Sequence, residues 1–170
     1  TEMGSPGCAT CHENHAIKPA SFEMVGLGDK AVCAACHSTA DKGGKAALEM
    51  RALIESLRLE HGKAGALLER AEHAGMEVSQ ARFELGGAND ALVKARAAIH
   101  AASVGMVKKE ADAGLAISAK AHARGVRAFE ELGFRRKGLA VSLVIILVLI
   151  AGLVLKLRQL ERRRPASDAG

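Results

Sequence analysis

The chain has 170 residues, a formal net charge of +5, no Trp, no Tyr and four Phe. That charge does not describe a nucleic-acid surface, because the basic residues neither interleave with aromatics nor form one soluble stripe. The shortage of large side chains is sharpest in the first forty residues, which are rich in Gly and Pro and short of Leu and Ile. A segment that small and that poor in apolar bulk folds only with a metal or a covalent staple.

Two motifs in that segment name the staple. Cys8-Ala-Thr-Cys11-His12 and Cys33-Ala-Ala-Cys36-His37 both have the CxxCH spacing of c-type haem attachment, and together they use all four cysteines of the chain. Two cysteines three positions apart reach the two vinyl groups of one porphyrin, and the adjoining histidine presents its imidazole to the iron. Two covalently attached haem c groups are therefore expected, with His12 and His37 as proximal ligands. They would supply the apolar mass that the sequence lacks, and without them residues 1–40 are expected to be disordered. A four-cysteine zinc ribbon is the competing reading, since 21 residues separate Cys11 from Cys33, but zinc does not require a histidine after both knuckles. Residues 1–41 are read as a dihaem paired-CxxCH module.

From residue 42 to 137 the sequence predicts a long helical hairpin or three-helix stalk, low in Pro and high in Ala, Leu, Glu, Lys and Arg. Apolar positions step by four and three through Ala46, Met50, Leu53, Leu57, Ala64, Leu67, Ala71 and Ala74, with Glu60 out of pattern, until Gly75 stops the helix. The pattern restarts as Val78, Ala81, Leu85, Ala88, Leu92, Ala95, Ile99, Ala102 and Met106. After a break near Ser103-Val104-Gly105, a third set runs through Ala111, Leu115, Ser118, His122, Gly125, Phe129 and Leu132. Frequent Ala and Gly at these positions favour close antiparallel packing.

Leu139 to Leu155 is a run of 17 residues without a charge, about 25 Å of helix against a hydrocarbon layer of roughly 30 Å. Arg135, Arg136 and Lys137 precede it; Lys156, Arg158 and Arg162 to Arg164 follow. Residues 138–157 are accordingly read as a transmembrane helix and 158–170 as a basic cytoplasmic tail. Both flanks are basic, so the positive-inside rule gives no orientation. The haem motifs do, because c-type attachment occurs outside the cytoplasm. A haem protein on that side needs an export signal, and Thr1 is thus expected to follow either a removed signal or further chain carrying more haems.

The residues Cys8-Ala-Thr-Cys11-His12-Glu-Asn-His15-Ala-Ile-Lys-Pro19, followed by Gly28-Asp29-Lys-Ala-Val-Cys33-Ala-Ala-Cys36-His37, resemble the paired CxxCH module of multihaem cytochromes c. Ala-Gly75-Met76-Glu-Val78 at the turn and Ala95-Arg96-Ala-Ala-Ile99-His100 on the next arm are similar to the C-terminal helical part of that wider group. The group includes the pentahaem nitrite reductases and octahaem hydroxylamine oxidoreductases, and the resemblance covers approximately residues 7 to 135. A membrane helix lies outside what those soluble enzymes imply, which points to an anchored electron-transfer relative.

An iron that shuttles electrons without binding substrate needs a sixth ligand. His15, three residues after His12, is expected to share its helical turn and so to serve a different haem; the resemblance implies the same, because the second histidine of CHxxH in such modules often ligates a neighbouring haem. His100 lies one position beyond the seam residue Ile99, directed away from the helix contact. His15 and His100 are therefore the candidate distal ligands. His122 falls on a seam position as a packed histidine, His61 and His73 read as surface residues, and Met50, Met76 and Met106 sit where packing explains them. Met3 and Met24 are weaker candidates.

The fold class expected is mainly α: a small haem-packed paired-CxxCH module, then long antiparallel coiled-coil-like helices and one C-terminal transmembrane helix. The function expected is that of a membrane-anchored c-type multihaem cytochrome and electron carrier, with no catalytic residue assigned. Its expected place is the bacterial cytoplasmic membrane, crossed once, with the haem module periplasmic and the C-terminus cytoplasmic. Its expected partners are other redox proteins or haem subunits, the lipid bilayer and a quinol-linked membrane protein. Oligomerisation through the stalk is compatible with the sequence, and nucleic acid is not expected. The alternatives are a component of a catalytic multihaem reductase of the nitrite or hydroxylamine type, and a zinc-ribbon adaptor on a helical stalk.

Overall fold

The computed structural model describes residues 7–15, 17 and 19–163; Met3 and the tail from Arg164 to Gly170 lie outside them. The described residues are mainly helical and contain no strand. The chain divides into two compact units, Thr1–Val126 and Arg127–Gly170.

In the first unit, α1 (Cys8–His12) and two 3-10 turns, Phe22–Met24 and Val32–Ala35, precede three long helices. The first of these, α2 (Lys42–His73), begins where Asp41 caps it, the carboxylate accepting from the Gly44 N–H at 2.8 Å. It ends two residues before Gly75, whose φ of +81° supplies the left-handed turn. There the Gly75 N–H donates to Glu72 O at 2.8 Å and the Met76 N–H to Ala71 O at 3.0 Å, which satisfies the last carbonyls of the helix. Helix α3 (Ser79–Ala98) continues through Gly86-Gly87 and runs into a 3-10 turn, Ile99–Ala101. Ala102 then takes a left-handed conformation, and α4 (Val104–Arg163) starts after Ser103.

The contacts fix the directions of the helices. Glu72 pairs with Arg82, a Cβ on Gly65 would meet Leu85 at 3.8 Å, and Met50 and Ile54 share a cluster with Ala95, so α2 and α3 are antiparallel. Between α3 and α4, Glu84 pairs with Lys120 at 2.6 Å and Ala95 clusters with Val107, which is again antiparallel. Leu57 of α2 faces Gly114 and Leu67 faces Gly125, so the first and third helices run in the same direction.

The buried positions of α2 are Gly44, Ala47, Met50, Ile54, Leu57, Ala64, Leu68 and Ala71; those of α3 are Ala81, Leu85, Ala88, Ala91 and Ala95. Ile54, Leu57 and Leu68 are almost wholly withdrawn from solvent, each removal stabilising by about 1.5–3 kcal/mol relative to exposure. In α4, up to Val126, the buried set is Val107, Ala111, Gly114, Ser118, Ala121 and Gly125. This corrects the sequence expectation at three positions. Leu115 is only half-buried, and His122 is exposed rather than packed. The cause is close approach: a Cβ on Gly114 would lie 2.7 Å from Leu57 Cδ1, so the smallest residues occupy the contact and the larger ones turn to its edges. Met106, expected inside, is also exposed, and Val107 takes its place. Ser118 meets its buried hydroxyl's need by donating to Gly114 O at 2.9 Å.

In the second unit the described chain is helical to Arg163, and α4 is long and apolar enough to cross a membrane. From Leu139 to Leu155 every residue is exposed, which suits lipid and not water. Ser142, inside this run, donates its hydroxyl to Gly138 O at 3.0 Å, leaving no unpaired polar hydrogen there.

Candidate functional site

The two CxxCH motifs fall on short helical turns. Cys8, Cys11 and His12 occupy the single turn of α1, where positions three and four apart share a face. The second motif begins on the 3-10 turn Val32–Ala35 and runs past it, Cys36 being the residue that ends the turn. The His37 N–H donates to Cys33 O at 3.0 Å and carries the histidine to the same end of the turn. No cysteine is in a disulfide; Cys11 and Cys33 are half-buried, and Cys8 and Cys36 exposed.

These turns hold to the helices through a few specific ties. Arg96 of α3 donates to Ala20 O at 3.0 Å, and Arg51 of α2 donates to Val25 O at 2.9 Å. Two guanidinium groups lie over the Phe22 ring, with Arg96 Cζ 4.8 Å and Arg58 Cζ 5.6 Å from its centroid. Phe22 and Val25 also pack against the cluster of Met50, Ile54, Ala95 and Val107.

With the segment docked in this way, His12 meets His100. Their ring centroids are 6.1 Å apart and their planes differ by 25°. The two rings are stacked, which brings the histidine of the first CxxCH motif against one from the turn after α3. His100 stands on the 3-10 turn after α3, exposed, and its Nδ1–H donates to Ala97 O at 3.0 Å. That bond sets the tautomer, with the proton on Nδ1.

At the second motif, His37 Nδ1 lies 3.0 Å from Asp41 Oδ1, and the ring is half-exposed. The backbone N–H groups of Ser38 and Gly44 hold the Asp41 carboxyl far below the usual carboxylate range. Asp41 is a residue that sequence reasoning missed, although an Asp four residues after His37 and three before Gly44 is a readable signal for both contacts.

His15 is exposed and lies beyond the end of α1. The expectation that it shares a helical turn with His12 fails at Glu13, whose φ of 61° and ψ of 175° end the helix. His61 is half-buried, and His73 and His122 are exposed. Met50 and Met76 are buried, and the Met24 sulfur accepts from the Ser21 N–H at 3.5 Å. Among the described residues no three His, Cys, Asp or Glu side chains converge as a protein-only zinc site requires. No protein-family model, no curated protein and no solved structure matches this chain.

Proposed function

We propose that this chain is a membrane-anchored c-type multihaem cytochrome that carries electrons between a membrane donor and periplasmic or further haem partners. The observation that carries the reading is the His12–His100 pair. A CxxCH histidine and a second imidazole, far apart in sequence, are brought together with ring centroids 6.1 Å apart, close enough to be recruited to one iron. Haem supplies the one-electron iron couple. The protein's residues would supply the rest: Cys8, Cys11, Cys33 and Cys36 would hold the two groups covalently, His12 and His37 would ligate the irons, and His100 would be the second ligand of the first. With both of its ligands supplied by the protein, that first site would leave no position for substrate, which favours a carrier over a reductase of nitrite or hydroxylamine.

Haem also answers the packing problem of residues 7–41, whose described part buries few side chains of its own. The exposed apolar run of α4 supports an anchor that crosses the bacterial cytoplasmic membrane once, with the haem region periplasmic and the C-terminus cytoplasmic. A quinol-linked membrane protein is a fitting donor for a carrier confined to that surface.

Intact mass and thiol titration of the purified chain test the cofactor. Two added haems and no titratable thiol are expected; four free thiols, or a bound zinc ion, would overturn the reading. Protease added to spheroplasts tests the topology. Digestion of the CxxCH segment with protection of a tag after Gly170 is expected, and protection of the CxxCH segment would contradict it.

A further inference from the structure

The two histidines whose hydrogen bonds are defined at this site are held by different acceptors. His100 donates from Nδ1 to a neutral backbone carbonyl, Ala97 O. His37 faces a carboxylate, Asp41 Oδ1, at 3.0 Å. That carboxylate is itself fixed: Oδ1 also accepts from the Gly44 N–H at 2.8 Å, and Oδ2 from the Ser38 N–H at 2.6 Å and the Ser38 hydroxyl at 3.3 Å. Asp41 cannot swing away without uncapping α2 and opening the turn after His37.

On its other side the His37 ring is confined by the helix start. A Cβ on Gly43 would collide with Cε1, Nδ1 and Nε2 of the ring, and one on Gly44 would collide with the Ser38 carbonyl. The glycine pair thus lets the imidazole lie flat against the first turn of α2, gripped between backbone and carboxylate.

We infer that Asp41 is a positioning residue for the second haem: it fixes His37 as the Nδ1–H tautomer, presents Nε2 to the iron, and sets that haem's potential below the value a neutral acceptor would give. The inference rests on the proposed attachment of haem at Cys33 and Cys36. An anionic acceptor on the remote nitrogen makes the imidazole a stronger donor, and a stronger donor favours the oxidised iron. The two haems of the chain then differ in potential through the partner of one ring nitrogen, with electrons resting on the haem of the first motif.

The experiment uses the haem-loaded full chain in detergent. Peptide mass first establishes haem on Cys33 and Cys36; its absence would overturn the attachment and this inference together. Spectroelectrochemical titration then compares the natural protein with Asp41→Asn, which retains an oxygen for the Gly44 N–H but removes the charge. One of the two transitions should rise by about tenfold in reduction equilibrium, about 59 mV for one electron, while the other stays in place and helix content is unchanged. Asp41→Ser, which keeps a capping hydroxyl but is too short to reach His37, should raise the same transition. Gly43→Ala should displace the ring and alter the low-spin electron paramagnetic signal of that haem alone. Unmoved potentials in both Asp41 variants with both haems attached, or equal shifts of both haems, would overturn the inference while leaving attachment intact. Loss of helix in both variants without a selective shift would assign Asp41 to capping alone and overturn it too.

Discussion

Residues 42–126 and residues 7–41 belong to one compact unit but are held by different forces. The three helices bury side chains against one another at intervals of three and four, with Leu57, Ala64, Leu68, Ala88, Ala95, Val107 and Ala111 wholly enclosed. In the described part of 7–41 only Gly26 and Ala31 are buried. What fastens that segment is two arginine–carbonyl bonds, two guanidinium contacts with the Phe22 ring and a few apolar contacts. A region with its own core can fold without help, whereas one fastened by surface ties depends on what is attached to it.

The comparison can be broken first at the bundle. Leu57→Ala removes an enclosed side chain that faces Gly114, and a loss of about 2–5 kcal/mol is expected in denaturant unfolding of the helices; a change within a few tenths of a kcal/mol would mean that the seam is not the core. Gly114→Val tests the same contact from the opposite side. The added carbons enter a space bounded by Leu57 and Ala91, and overpacking should cost about 1–3 kcal/mol by the same assay.

Arg96→Ala acts on the other region. Losing its bond to Ala20 O and its place over Phe22 should weaken docking of 7–41 by about 1–2 kcal/mol. Hydrogen exchange should quicken there while α2 and α3 remain protected. Uniform loss of protection along the chain would erase the distinction between the two regions.

The smallest effect is a surface one. Hydrogen bonds from Lys120 and Gln80 hold the Glu84 carboxyl below its usual range. Its stabilising contribution is therefore full above the ordinary Glu value of about 4.3 and lost as pH falls through the lower folded-state value. The stability difference between the natural protein and Glu84→Gln should shrink on acidification; growth of the difference would reverse the assigned sign.

Local features of this architecture are legible in the sequence, and tertiary ones are not. Gly75 marks the end of α2 because a left-handed residue is needed there, and Ser103 precedes α4 because its oxygens accept from the first helical N–H groups. The charge-free run from Leu139 to Leu155 reads directly as a long apolar helix. The contact face of α4 is different. Periodicity places Ala111, Ser118 and Gly125 correctly, but choosing Leu115 and His122 beside them favours size, whereas the close approach of α2 selects Gly114 and Ala121. His100 is readable as a histidine facing away from the seam, but its meeting with His12 arises only from the docking of residues 20–25 on α2 and α3. Asp41 escaped notice because its Asp-x-x-Gly spacing reads as an ordinary helix cap, and the fold adds the His37 imidazole to the same oxygen that caps α2.

The central claim, that His12 and His100 bind opposite sides of one iron, is tested most directly by the spin state of the haem-loaded His100→Ala variant. Optical and electron paramagnetic spectra should show one of two haems leaving the low-spin state and gaining the capacity to bind carbon monoxide when reduced, with the haem of Cys33 and Cys36 unaltered. Two haems that both remain low-spin and refuse carbon monoxide in this variant would contradict the account.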